Sequence, residues 1–571
     1  MSPSTPIPAN VPIPVIFARD MNAAVSAQVP RPAVAVVPQP STFNNFGNLF
    51  YARMLVLPPQ PTLTVQQFSM SVMFAGEFNT SAFFERLLAN YAWVLSSSVP
   101  PLYVGILGEA GSYGEIVQLL GFERAVTALR QLGDAVVLRL EGSDTERLKL
   151  IDSDDFHLGA LRSSSAYVAF RHGSRYLRPQ PLNKALDSAS SFHISARLPS
   201  ANNSYEIDFD FQPDELHRDR VAVLIGRNGT GKTQLMLKLI EAQQPGHHQQ
   251  DEVPAFISPP AMFNRLLMFS SVASDTYPRS IPPWSGVDYQ YFSMIGGTDA
   301  EDDALTGALI DCLRDHTQFH FPTIERPFGT TNRLSLLQRA LESLSMSEHI
   351  HLPLKEQPDP HDLPDTRVWN GRQYFPLFRS LNEQRNLLLV RKVDWSRSPV
   401  AFGLGTAPRT LSSGELAMLR FAAQAAGSIE TGCLLLFDEP ETHLHPNFVS
   451  EFMTILHTLL AITRSVAIIV THSAYVVREV PRQRVRILSV NDRIVSVDQP
   501  RLQTFGASID GISQFIFGDS NISHRYEEVL ENWLNQLGHG VTIERVIQDH
   551  GERLNPETLS YIAHLLRTRL Q

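Results

Sequence analysis

One octapeptide restricts this chain more than any other part of it. Gly226-Arg227-Asn228-Gly229-Thr230-Gly231-Lys232-Thr233 fits G-x-x-x-x-G-K-[ST], with the apolar run 221–225 before it and helical spacing over 234–242 after it. A short run with no polar face suits a strand covered on both sides, as in a parallel sheet between helices. The chain must then leave the sheet, turn tightly and open a helix. In that place glycines let backbone N–H groups close round a β-phosphate, and the helix N-terminus adds positive potential. Lys232 would reach the β- and γ-phosphates and Thr233 would ligate Mg²⁺. ATP with Mg²⁺ is the expected ligand, held by Gly226, Asn228, Gly229, Thr230, Gly231, Lys232 and Thr233.

Residues 411–446 read LSSGELAMLRFAAQAAGSIETGCLLLFDEPETHLHP and combine two further pieces of chemistry. Leu411-Ser412-Ser413-Gly414-Glu415 is a small-residue turn opening a helix, and the apolar run 433–437 ends in Asp438-Glu439. Carboxylates at the exit of a buried strand suit Mg²⁺ and a water, and the stretch resembles a Walker B motif, in which Asp438 would hold Mg²⁺ and Glu439 would polarise the water that attacks a γ-phosphate. A second buried run, 466–470, ends in Thr471-His472-Ser473.

The 571 residues exceed one ordinary core, so two or more domains are expected. No apolar run of about 18 residues and no secretory leader is visible, which predicts a cytoplasmic protein with no membrane contact. Two cysteines make no disulfide framework, and a net charge of -10 argues against a broadly basic nucleic-acid-coating surface.

Taken in order, the repeated prolines of residues 1–42 predict a flexible arm. Residues 43–188 read as a small α+β domain, with strands over 49–57, 68–74 and 135–140 and helical spacing over 81–95 and 113–132. Asp152, Asp154 and Asp155 read as a solvated turn. Runs 192–198 and 205–211 alternate around Asn202-Asn203 as a hairpin would. An ATPase domain is expected over 189–520, interrupted by a helical insertion at about 278–399 with helices at 304–316 and 332–346. There His320, His349 and His351 read as surface histidines rather than metal ligands, and Arg385, Arg391, Lys392 and Arg397 as a solvated basic face that could meet DNA or RNA. A helical segment, 521–571, closes the chain.

The three motifs, in this order and with LSSGE before the acidic pair, resemble the ATP-binding cassette (ABC) class. That class carries LSGGQ; here Ser413 replaces the first glycine and Glu415 the glutamine. The resemblance implies an α/β fold: an ABC-type P-loop ATPase head, with a mixed sheet, an antiparallel edge and a helical insertion, preceded by the α+β domain. It implies a homodimer of heads, or a higher assembly, in which Ser412, Ser413 and Gly414 of one chain close over the ATP of the other. It also makes Lys232, Glu439 and His472 catalytic, with His472 hydrogen-bonding the γ-phosphate. The class places a glutamine after the strand that 265–271 would form, and none stands here.

Glu441-Thr442-His443-Leu444-His445-Pro446 followed by Thr471-His472-Ser473 is similar to stand-alone ATPases of the overcoming-lysogenisation-defect and RecF-like group. Many of these serve in bacterial anti-phage defence, including Septu-type and retron-associated systems. The resemblance implies ATP binding and hydrolysis that sense or regulate a separate effector such as a nuclease or toxin. The nuclease domain of the overcoming-lysogenisation-defect proteins has no counterpart in the residues after His472. Two alternatives are an ATP-binding scaffold with negligible turnover and a RecF/SMC-like DNA-repair ATPase; His443 and His445 as a metal pair is a lesser reading.

Overall fold

The structure, a computed structural model, describes residues 11–568 apart from 42–46, 61–62, 100–101, 180–190, 213–219, 245–254, 259–262, 273, 283–285, 295–298, 322–328, 345–348, 356–362, 364, 404–406, 443, 518–524, 538–540, 552–553 and 555. The chain divides into two compact units, Met1–Ala507 and Ser508–Gln571.

From residue 15 the expected Pro-rich arm is instead part of a sheet. Six strands lie in the order Trp93–Leu95, Val15–Ala18, Ala33–Pro38, Tyr51–Leu57, Gln66–Phe74, Tyr103–Leu107. Val15–Ala18 and Ala33–Pro38 pair parallel, joined by the helix Met21–Ser26, and all other neighbours are antiparallel. The prolines at 12, 14, 30, 32 and 38 fall at or beyond strand ends, where a missing N–H costs little of the ladder. Between them the apolar residues alternate between two cores: Phe17, Val34 and Val36 on one face, Ile16, Ala33 and Ala35 on the other.

A second correction concerns residues 135–140, which form the helix Ala135–Glu141 and not a strand. Asp134 caps it: Oδ1 accepts from the N–H groups of Val136 and Val137 at 3.0 and 3.2 Å, and Oδ2 accepts from Tyr113 Oη at 2.8 Å. A buried cap of this kind overrides the β preference of Val136 and Val137.

The ATPase core has seven strands in the order Tyr289–Ser293, Leu266–Ser270, Leu434–Asp438, Val466–Thr471, Val221–Gly226, Val485–Asn491, Ile494–Asp498. All neighbours are parallel except the last pair, which makes an antiparallel edge. Ser191–Ala196 and Tyr205–Asp210 form the expected hairpin, extended by Ala255–Ser258. The insertion holds the two expected helices, Asp299–Arg314 and Arg333–Leu341, and a third, Glu383–Lys392, but it is not helical throughout: Tyr289–Ser293 joins the central sheet. Ile350–Pro353, Arg367–Trp369 and Arg372–Pro376 build a five-stranded antiparallel sheet with Val400–Phe402 and Pro408–Thr410. These strands are three to five residues long, too short for a period to declare itself.

The second unit begins at Ser508, upstream of the expected 521, with the helix Ile509–Phe517. Arg525–Leu537, Ile543–His550 and Pro556–Thr568 pack round Leu530, Leu534, Val546 and Ile562.

A buried ionic cluster holds the far end of the helix that LSSGE opens, Ser413–Ser428. Arg333, fully buried, donates from Nη1 to the carbonyls of Ala426 and Ile429 at 3.0 and 2.7 Å. It also pairs with Asp315, and with Glu430 at 2.9 Å. Arg265 Nη1 reaches the Ser428 carbonyl at 2.5 Å and Nε pairs with Asp288 at 2.9 Å, while Arg175 bridges Glu430 and Asp288. The Arg333 and Arg265 guanidinium groups satisfy the last carbonyls of the helix and meet the negative end of its dipole. Replacing Arg333 with Leu leaves two buried carboxylates short of a partner and is expected to cost about 3–5 kcal/mol in denaturant unfolding; a loss below about 1 kcal/mol contradicts the role assigned to the cluster.

Burial pushes the Glu430 carboxyl up, but Arg175, Arg333 and Arg265 outweigh it and hold its pKa at about 2. A depressed folded-state pKa contributes stability above the unfolded value of about 4.3, lost as pH falls toward 2. Acidification from pH 5 to pH 2 should therefore lower the melting temperature of the wild type more than that of Glu430→Gln, as followed by circular dichroism.

Candidate functional site

Parallel pairing sets Ser270, Asp438, Val470 and Leu224 side by side, so the carboxyl ends of four strands open together. This is the crevice in which parallel α/β sheets present ligand-binding loops.

The phosphate loop leaves the strand Val221–Gly226 and enters the helix Lys232–Ala242. Gly231 caps that helix at φ +79°, a conformation that requires glycine, and a Cβ there would also displace the Leu198 Cδ1 methyl, 2.5 Å away. The Thr230 carbonyl accepts from Tyr205 Oη at 2.5 Å, and Thr230 Oγ1 donates to the Arg227 carbonyl at 2.9 Å, while Asn228 and Gly229 stay exposed at the tip. Lys232 is 6% exposed, its ammonium donating to the carbonyls of Gly226 and Arg227 at 2.9 and 3.2 Å. Burial lowers its pKa, opposed by the nearby charges of Glu439, Asp438 and Glu441.

Asp438 is fully buried, and its two oxygens differ. Oδ2 accepts from Thr233 Oγ1 at 2.8 Å and Tyr277 Oη at 2.7 Å, whereas Oδ1 has no hydrogen-bond partner among the described residues. A buried carboxylate oxygen without a donor, next to a threonine hydroxyl, is a donor set that fits a hard cation such as Mg²⁺. Burial raises the Asp438 pKa, against the two hydrogen bonds that lower it.

The next residue, Glu439, sits in the left-handed region at φ +50° while its N–H donates to the Val470 carbonyl at 2.8 Å. Such a conformation costs on the order of 1–3 kcal/mol in a residue with a side chain, and is found where the surroundings over-determine it. Glu439 Oε1 lies 3.3 Å from His472 Nδ1. Glu441, 9% exposed, accepts from the Thr471 hydroxyl and from the His472 N–H at 3.3 Å, and its Oε1 is 3.6 Å from the same ring nitrogen. Burial pushes the Glu441 carboxyl above its usual range. Strand pairing thus brings Lys232, Thr233, Asp438, Glu439 and His472 together. It adds Tyr277, Glu441 and Thr471, to which sequence reasoning assigns no role. Glu441 carries a signal, a third acid two residues after Asp438-Glu439; Tyr277 carries none.

Ser412, Ser413 and Gly414 are placed elsewhere, at an exposed helix start. Ser412 Oγ accepts from the Glu415 N–H at 3.3 Å, and the Glu415 carboxylate accepts from the Ser412 N–H at 2.7 Å, a reciprocal capping box. Arg409 pairs with the same carboxylate at 2.6 Å, and the ring of Phe448 packs against Gly414, leaving no room for a Cβ. Among the described residues no hydrogen bond joins Ser412–Gly414 to the phosphate loop of the same chain.

His443 lies outside the described residues, and His445 caps the helix Pro446–Thr463, its Nδ1 accepting from the Asn447 N–H at 3.4 Å. His351 packs on Phe402, with its Nδ1 2.8 Å from the His349 carbonyl oxygen. Among the described residues there is no group of three or more His, Cys, Asp or Glu side chains able to hold a metal, and no helix long and apolar enough to cross a membrane.

Strand order, the phosphate loop and the acidic strand exit define a mixed α/β domain built around a phosphate loop. A family described as "AAA domain, putative AbiEii toxin, Type IV TA system" matches residues 399–478, the part that holds the capping box, Asp438-Glu439 and His472. Protein ea59 of Escherichia phage lambda is 26% identical over 396 residues, covering 62% of this chain and 67% of that protein. Among solved structures, the SMC head domain from Thermotoga maritima aligns at 11% identity over 55% of this chain and 100% of its own, with a TM-score of 0.28. An ATP-binding cassette of an ABC transporter in its ADP conformation aligns at 11% identity over 60% of this chain and 98% of its own, again with a TM-score of 0.28.

Proposed function

We propose that this protein is an ATPase whose heads dimerise on binding ATP and Mg²⁺ and whose hydrolysis cycle regulates a separate effector, a nuclease or toxin, in anti-phage defence. The observation that carries the reading is the convergence of Thr233, Asp438, Glu439 and His472 beside Lys232 at one set of strand ends. In it, Lys232 exchanges its loop carbonyls for phosphate oxygens, and Thr233 with Asp438 holds Mg²⁺, which would neutralise charge on the β- and γ-phosphates. Glu439 takes the proton side of the attacking water, and His472, its backbone N–H fixed by Glu441, turns its exposed ring toward the γ-phosphate. The exposed N-terminus of Ser413–Ser428, with Ser412 and Ser413 at its mouth, suits a partner's γ-phosphate. ATP favours the closed dimer because only there do both chains touch it. The toxin-linked description of the matched family supports an effector of the toxin kind.

A complementation experiment tests the two-chain site. Lys232→Ala and Ser413→Arg, each alone, are expected to lose nearly all turnover, and mixing them is expected to restore a measurable share, since a mixed dimer keeps one complete site. Full activity of Ser413→Arg by itself, or no recovery on mixing, contradicts the proposal.

A further inference from the structure

Between the strands Leu266–Ser270 and Tyr289–Ser293 the chain carries Tyr277, 3% exposed, against the acidic strand exit. Its hydroxyl donates to Asp438 Oδ2 at 2.7 Å and lies 3.4 Å from the Thr233 carbonyl oxygen. Thr233 Oγ1 donates to the same Oδ2 at 2.8 Å. Two donors from separate elements therefore fix one oxygen of the carboxylate, and the other, Oδ1, is buried and has no hydrogen-bond partner among the described residues. A carboxylate with a single donor can turn about its terminal torsion, which is broad and roughly two-fold; one with two donors on one oxygen cannot turn without breaking both.

The segment bearing Tyr277 is itself tied down. Asp275 Oδ2 accepts from Tyr291 Oη at 2.7 Å, Asp275 Oδ1 pairs with Arg279 at 3.1 Å, and the Arg279 guanidinium lies 4.0 Å over the Tyr291 ring.

We propose that Tyr277 is a positioning residue for the divalent cation of the ATP site: it holds Asp438 so that Oδ1 faces the cation that Thr233 ligates. The proposal rests on the reading that Thr233 and Asp438 hold Mg²⁺. Tyr277 touches neither nucleotide nor metal in this role. Its effect belongs to the metal-dependent part of nucleotide binding and not to the phosphate loop.

The test is a Mg²⁺ titration of the full chain, read by the fluorescence of a labelled ATP analogue, for wild type, Tyr277→Phe, Asp438→Asn and the double variant. Tyr277→Phe is expected to raise the Mg²⁺ midpoint about three- to tenfold, the scale of a hydrogen bond to a charged group partly transmitted. Metal-free analogue binding should stay at the wild-type value, and the double variant should match Asp438→Asn. An unchanged or lower midpoint for Tyr277→Phe overturns the proposal. So do a proportional loss of metal-free binding, which marks general loosening, and full additivity in the double variant. If wild-type binding ignores Mg²⁺, or Asp438→Asn leaves the midpoint in place, the metal-site reading itself falls and takes the proposal with it.

Discussion

Replacing Glu439 with glutamine is expected to lower ATP turnover by about 10²–10⁴-fold, the range for loss of a positioned general base, while ATP binding stays within about twofold. The substitution keeps the size of the side chain, so the left-handed turn at φ +50° and the N–H bond to Val470 persist. What disappears is a charge 3.3 Å from His472 Nδ1 and the capacity to take a proton. Glu441 is the poorer candidate, because one of its oxygens is already committed to the Thr471 hydroxyl and the His472 N–H. Steady-state phosphate release with parallel nucleotide-binding measurements separates the two effects. Turnover within threefold of wild type would move the base elsewhere, with Glu441 the first alternative.

Replacing Lys232 with alanine is expected to act on binding instead, weakening ATP affinity about a hundredfold, or about 2.7 kcal/mol. The buried ammonium is the one cation among the side chains named in the phosphate loop's interior, and its present partners are two carbonyls of its own loop at 2.9 and 3.2 Å. Those neutral acceptors hold the loop in shape until phosphate oxygens offer stronger, charge-assisted bonds. Alanine removes both the loop closure and the charge. Calorimetric titration with ATP checks this, and a loss below fivefold would mean that backbone N–H groups carry the phosphates without the lysine.

The parts of this site that the sequence reveals are those in which chemistry dictates residue type and spacing together. A loop that wraps phosphate needs Gly231 at positive φ and Lys232 directly after it, and the acids of a strand exit must be adjacent, as Asp438 and Glu439 are. Residues recruited through tertiary contact leave no such trace. Tyr277 meets Asp438 across 161 positions, and Glu441 meets Thr471 across 30. The N-terminal sheet is hidden for a different reason. Proline density over 1–42 reads as irregular chain, yet it is the position of each proline relative to the strand ends that decides, and composition does not record it. At 135–140 a single buried carboxylate, Asp134, reverses the preference of the residues after it. The same separation explains the ionic cluster under Ser413–Ser428, whose arginines come from positions 175, 265 and 333 and converge only in the folded chain.

The exposed start of Ser413–Ser428 and the acidic site are parts of one mechanism only if two chains meet across ATP. The most direct measurement is therefore the molar mass of Glu439→Gln by light scattering, with and without ATP and Mg²⁺. ATP is expected to shift this variant to twice its nucleotide-free mass, with the shift lost in the Glu439→Gln, Ser413→Arg double variant. A mass that stays the same on adding ATP would contradict dimer closure, and with it the trans role of Ser412, Ser413 and Gly414.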